Sequence, residues 1–434
     1  MDNREILERS LRAVWHPCTQ MKHHELLPLV PVARAEGAWL IDFEGNRILD
    51  AISSWWVNLL GHGNARINAA VIAQLQTLEH VMLAGFTHEP VVRLSERLAA
   101  LAPGNLGHCF YGSDGASAIE IALKMSFHAW RNAGRGEKTG FIALENSYHG
   151  ETLGALSVTD VPLFRDTYAP LLRHCARVPS PDARRAAPGE SARDYALRCA
   201  AQLETHLEQH AAQTAALIVE PLVQCAGGMV MYDAEYLRRA RELCSRFDVH
   251  LIADEIAVGF GRTGTLFACE QAGIAPDFLC LSKGISGGYL PLSVVMTSDA
   301  IYAAFYDDRV ARGFLHSHSY TGNPLACSAA LAVLDILEED RILARNRLAA
   351  ARINEATSAL HHHSRVENFR NQGMIWAFDV VEAQPDFARD FFSRSIAAGV
   401  LLRPLGNTVY WMPPYVFDEE EISLLARTVV KLLD

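Results

Sequence analysis

The chain has 434 residues, 50% hydrophobic and 21% charged, enough apolar material for two or three domain-sized units, which excludes whole-chain disorder. Its 39 Lys and Arg against 50 Asp and Glu leave a net charge of −11 without a block of like charge, which argues against nucleic acid or an anionic membrane as a partner. Nine scattered cysteines with no C-x-x-C pair, a charged N-terminus and no run approaching about 18 apolar residues lead to the expectation of a soluble cytoplasmic protein with reduced thiols.

Residues 1–70 read as a short amphipathic helix followed by strand-like pieces at 37–42 and 47–50. From 71 to 324, helical patterns alternate with short apolar runs at 139–144, 215–220, 250–254 and 277–281. Runs of this length, flanked by Asp, Gly and Pro, predict buried strands of an α/β fold with a mostly parallel sheet. Residues 183–210, rich in Arg, Ala and Glu, predict a solvated helix. After Pro324 comes a long Ala/Leu helix, then strand candidates at 374–381 and 409–412. Residues 325–434 are expected to join residues 1–70 in a smaller α+β domain, leaving 71–324 as a large domain.

Three features fall at the carboxyl ends of predicted strands, where open α/β sheets place their ligands. Asp254 closes the run His250–Asp254, and a carboxylate there needs a cationic or donor partner. Lys283 follows the next strand inside the Gly-rich turn 282–288, a setting that presents an amine to a cleft. The stretch 112–117, Gly-Ser-Asp-Gly-Ala-Ser, opens a helical run and offers free N–H groups to a phosphate. Each has a plainer reading alone, as a cap, a surface lysine or a simple helix start. In this order they supply an amine, an acid and a phosphate cradle, the requirements of pyridoxal 5'-phosphate (PLP).

The motifs 113–120, Tyr148-His-Gly150, 252–256 with 259–264, Leu281-Ser-Lys-Gly284 and Thr321-Gly-Asn-Pro-Leu325 resemble the class III aminotransferases of PLP fold type I, over essentially the whole chain. Trp15-His-Pro17, Ser53-Ser-Trp-Trp56, His80-Val-Met82 with Thr87-His88, and Arg403-Pro404 leading to residues 410–415 narrow the resemblance. They are similar to members that aminate 8-amino-7-oxononanoate in biotin biosynthesis, with S-adenosylmethionine as donor or, in some members, lysine.

The resemblance implies a homodimer with active sites at the subunit interface. It makes Lys283 the lysine that carries the cofactor and moves the proton, and Asp254 the partner of the pyridinium nitrogen. Gly115 and Ala116 correspond to the phosphate-binding pair, with His318 alongside and Ser319 giving a hydroxyl to the partner subunit's phosphate. Tyr148 corresponds to the aromatic on the cofactor ring and Trp55 to a wall of the substrate pocket. Arg403 matches the residue that grips the keto acid's carboxylate.

Departures from the pattern are expected to matter. Ala116 stands for a serine, Cys18 for a substrate-contacting tyrosine, Glu151 for an aspartate, and Ser317-His-Ser319 for Gly-Pro-Thr. Cys18, Ser317 and Glu151 fall on the expected substrate side and leave the amino donor open. The clusters His23-His24 and His361-His-His363 lack metal-ligand spacing and are expected to be surface histidines.

Overall fold

The computed structural model describes residues 1–27 and 29–434 and divides into two compact units. Unit 2 comprises residues 66–346 and 371–374; unit 1 comprises 1–65, 347–370 and 375–434. No helix among the described residues is long and apolar enough to cross a membrane.

Unit 2 is built on a seven-stranded sheet in the order His108–Gly112, Ser293–Thr297, Phe278–Leu281, His250–Asp254, Thr214–Val219, Gly140–Leu144, Ala176–Val178. Most neighbours pair in parallel. Ser293–Thr297 runs antiparallel to both of its neighbours. The central strands are buried along their length, which is why they read as unbroken apolar runs rather than alternating ones. The strands 108–112, 176–178 and 293–297 escape the sequence pattern. Ser293–Thr297 carries a polar residue at each end, and Ala176–Val178 is three residues long.

The helix Gly115–Asn132 follows the first strand. Asp114 caps it by accepting the Ser117 N–H at 2.9 Å. Its apolar face, including Ile119, Ile121, Ala122 and Met125, packs into a core with Ile218, Ile252 and Phe278. The expected solvated helix begins only at Ala192, capped by Ser191, and runs to His210. It is not solvated all round: Tyr195, Cys199, Leu203 and Leu207, spaced four apart, form a buried stripe. The Pro324–Glu339 helix also differs from expectation, since the boundary drawn at 324 puts it with the tail. Most of it is buried, and it packs on the Glu89–Leu101 helix and the Lys283–Ser286 turn of unit 2.

Unit 1 joins both ends of the chain. Strands Val32–Glu36, Trp39–Asp42 and Arg47–Asp50 form a meander, and Val400–Leu401 pairs in parallel with the last of them. A second sheet contains Val366–Gln372, Ile375–Val380 and Thr408–Trp411. Its aromatic layer includes Trp376 stacked on Trp411 at a centroid distance of 6.2 Å.

Candidate functional site

In unit 2 the parallel strands end on a ring of ionisable groups. Asp254, 5% exposed, ends its strand, and its Oδ1 accepts the Ile256 N–H at 3.1 Å. Its Oδ2 lies 2.7 Å from Nδ1 of the buried His149. Nε2 of His149 is buried and meets no hydrogen-bond partner among the described residues.

Lys283 follows the next strand in a turn where its own φ is +47°. That backbone conformation is uncommon for a residue with a side chain and is typical of strained functional positions. Burial lowers the lysine's pKa below the ordinary 10.5, while Asp254, Cys225 and Glu220 oppose the shift.

Glu220, just past the strand Thr214–Val219, is also buried. Burial, reinforced by Asp254, pushes its pKa well above the ordinary carboxylate value. Its two oxygens accept the Tyr148 N–H at 2.8 Å and the Cys225 N–H at 3.0 Å. The Tyr148-His149-Gly150 turn is thereby pinned beside Asp254. The Tyr148 hydroxyl donates to Glu151 at 2.9 Å, and its ring meets Phe164 edge-on at 5.3 Å.

The same turn leans on the phosphate-type loop. Gly150 has φ +120°, and a Cβ there would lie 2.6 Å from the Cβ of Ala116. Gly115 is less tightly confined, since a Cβ would meet the Ile256 side chain at 3.0 Å. Upstream, Ser113 Oγ lies 2.9 Å from His318 Nδ1, and Thr321 holds the His318 N–H at 2.9 Å. Ser317 and Ser319 are exposed.

The remaining predicted residues meet in unit 1. The Arg403 guanidinium sits 5.0 Å over the Trp55 ring, and its Nη2 donates to the Cys18 carbonyl at 3.2 Å. All three line a cavity of about 500 Å³ whose other walls include Leu29, Leu40, Ile48, Phe392 and Leu401. Its walls are mostly apolar, with Arg389 and Arg403 as its arginines. His23 and His24, expected as plain surface histidines, also line it.

The predicted residues therefore fall into two groups, one in each unit. Two residues of the first group escaped the sequence reading. Glu220 carries the signal used for Asp254, a carboxylate closing an apolar run, and His149 lies inside a motif quoted only for its tyrosine.

The class-III aminotransferase model matches residues 20–433. Among curated relatives, the adenosylmethionine-8-amino-7-oxononanoate aminotransferase of Helicobacter pylori is 46% identical, over 98% of this chain and 96% of its own length. The protein of the same name from Geobacter sulfurreducens is 40% identical, over 99% and 97%. Among solved structures, that of the adenosylmethionine-8-amino-7-oxononanoate aminotransferase from Methanocaldococcus jannaschii superposes with a TM-score of 0.93 at 32% identity, over 100% of this chain and 99% of the other. An omega transaminase from Pseudomonas jessenii in complex with PMP gives a TM-score of 0.94 at 28% identity, over 99% and 97%. With one family model spanning nearly all of it and relatives this similar over almost their whole length, the chain belongs to the class-III aminotransferases.

Proposed function

We propose that this aminotransferase converts 8-amino-7-oxononanoate to 7,8-diaminononanoate in biotin biosynthesis, taking the amino group from S-adenosylmethionine, with lysine as the alternative donor. The observation in this chain that carries the acceptor is the unit 1 cavity. Arg403, held over Trp55, offers a planar guanidinium to a carboxylate at the edge of an apolar space suited to a methylene chain. The relatives' names supply the two substrates.

Class-III aminotransferases are PLP enzymes, and the unit 2 groups fit that cofactor. The helix that begins at Gly115 offers free N–H groups at its start, and glycine at 115 and 150 leaves room for close backbone approach there. Behind it lie a buried carboxylate for a ring nitrogen and an amine of lowered pKa for the aldehyde. When bound, PLP supplies an electron-withdrawing ring that stabilises negative charge at the substrate carbon.

The chain's own groups then have separable tasks. Lys283 Nζ holds the cofactor and takes and returns the proton at the substrate's α-carbon. Asp254 keeps a proton on the ring nitrogen, with His149 Nδ1–H fixing the carboxylate's orientation. Gly115, Ala116 and His318 would hold the phosphate end, and Ser319 would reach the phosphate of the partner subunit. Tyr148 would cover the ring, while Trp55, Cys18, Ser317 and Arg403 would bind substrate. A cytoplasmic homodimer is part of this proposal; exposed apolar side chains such as Leu163, Tyr306 and Leu315 support a covered surface.

The test is to mix the holoenzyme with each donor and follow its visible absorption band, then add 8-amino-7-oxononanoate. Bleaching by S-adenosylmethionine or lysine, with recovery on adding the keto acid, is expected. No bleaching by either donor, or no recovery, would overturn the assignment.

A further inference from the structure

Ser53, Ser54, Trp55 and Trp56 all have positive φ, at +52°, +45°, +71° and +72°. Four consecutive L-residues in left-handed conformation make a strained turn that needs outside support. The support is specific. Asp50, the fully buried last residue of its strand, accepts the Ser54 N–H through Oδ1 at 2.9 Å and the Ser54 hydroxyl through Oδ2 at 2.7 Å. Oδ2 also lies 3.1 Å from Nε2 of His62. His62 is fixed in turn, because its backbone exchanges two hydrogen bonds with Gly37, at 2.7 and 3.0 Å.

On the other side of the turn, the Ser53 hydroxyl donates to the Met412 carbonyl at 2.7 Å and Trp56 Nε1 donates to the Tyr410 hydroxyl at 3.2 Å. Trp55 is thus the member of the turn left facing outward, 41% exposed, under Arg403. The two serines explain themselves: each spends its hydroxyl on holding the left-handed backbone.

We propose that Asp50 and His62 are positioning residues, a His62–Asp50–Ser54 clamp that holds the left-handed turn closed, keeps Trp55 under Arg403 and so sets affinity for the carboxylate-bearing substrate. This rests on the reading that Trp55 and Arg403 bind that substrate. Asp50 and His62 do not line the cavity and act through the turn, whereas Ser54 stands on its wall.

The experiment pairs kinetics with a probe that needs no substrate. The holoenzyme is labelled with fluorotryptophan, and the Trp55 resonance is assigned by its loss in Trp55→Phe. In Asp50→Asn and His62→Leu, that resonance is expected to shift or broaden. KM for 8-amino-7-oxononanoate rises about tenfold, while kcat and the cofactor's absorption stay near wild type, the pattern of lost uniform binding. His62→Gln, which keeps a side-chain N–H for Asp50, is expected to restore most of the affinity. Because Asp50 is fully buried, His62→Leu with its His62→Gln counterpart carries the same test from the half-buried side of the clamp.

An unmoved Trp55 resonance with unchanged KM would overturn the clamp, as would parallel loss of kcat, KM and cofactor absorption in every variant. If wild type fails to use the keto acid, the substrate reading falls. The resonance still decides the clamp in that case.

Discussion

Lys283 Nζ lies where burial disfavours its charge while Asp254, Cys225 and Glu220 favour it, and burial prevails. The neutral amine is the form that attacks an aldehyde, so the lowered pKa makes that form available at lower pH. The rate at which apoenzyme captures PLP is therefore expected to rise with pH and level off below 10.5. A stopped-flow series across pH 7–11 checks this, and a rate still climbing at pH 10.5 would contradict it. Lys283→Ala should abolish turnover, by at least about 10³-fold.

His149 tests the acid's orientation. His149→Leu removes the 2.7 Å partner of Asp254 without touching Lys283, and kcat is expected to fall about 10–100-fold with the cofactor still bound. Asp254 and Lys283 were legible because each sits beside its own strand, where a few consecutive residues reveal the setting. His149 reaches Asp254 from 105 positions away, a contact that local pattern does not encode.

At the scale of elements, the turn 148–150 and the helix start at Gly115 depend on each other through small residues. Gly150→Ala places a Cβ 2.6 Å from that of Ala116 at a φ of +120°. It is expected to destabilise the protein by about 1–3 kcal/mol and to weaken PLP binding, as read by urea unfolding and cofactor titration. The departure at Ala116 acquires a reason here, since the side chain has a close neighbour in the Gly150 turn.

Glu255 follows the strand that ends in Asp254, and its carboxyl accepts the Ala268 and Cys269 N–H groups at 2.7 and 2.8 Å. Burial nevertheless pushes its pKa up to about 7 from the ordinary 4.5. The folded protein therefore holds this proton more tightly than the unfolded chain. The associated stability is complete below pH 4.5 and is lost as pH rises through about 7. Glu255→Gln should flatten the fall in urea midpoint between pH 4.5 and 7.5, and an unchanged slope would contradict this.

For the molecule as a whole, cofactor and fold are linked by mass action. PLP at about 100 times its Kd should stabilise the folded state by about 2.7 kcal/mol, seen as a rise in Tm. Lys283→Ala, which keeps only the noncovalent contacts, should show a smaller rise. Thermal scans against PLP concentration check both.

The amino-acid sequence by itself determined the α/β class and the central strands, and strand-end placement singled out Lys283 and Asp254 as candidates, whereas Trp55 and Arg403 came only from the family resemblance. Hydrophobic period and strand-end placement are properties of short segments, and they survive without knowledge of the fold. Tertiary structure alone decided that Ser293–Thr297 runs antiparallel, that the Pro324–Glu339 helix packs within unit 2, and that His149 and Glu220 close around Asp254. It also decided that Ser53–Trp56 turns left-handed. Nothing in Ser-Ser-Trp-Trp prefers that backbone; it exists because Asp50, His62, Met412 and Tyr410 are brought to it from other elements.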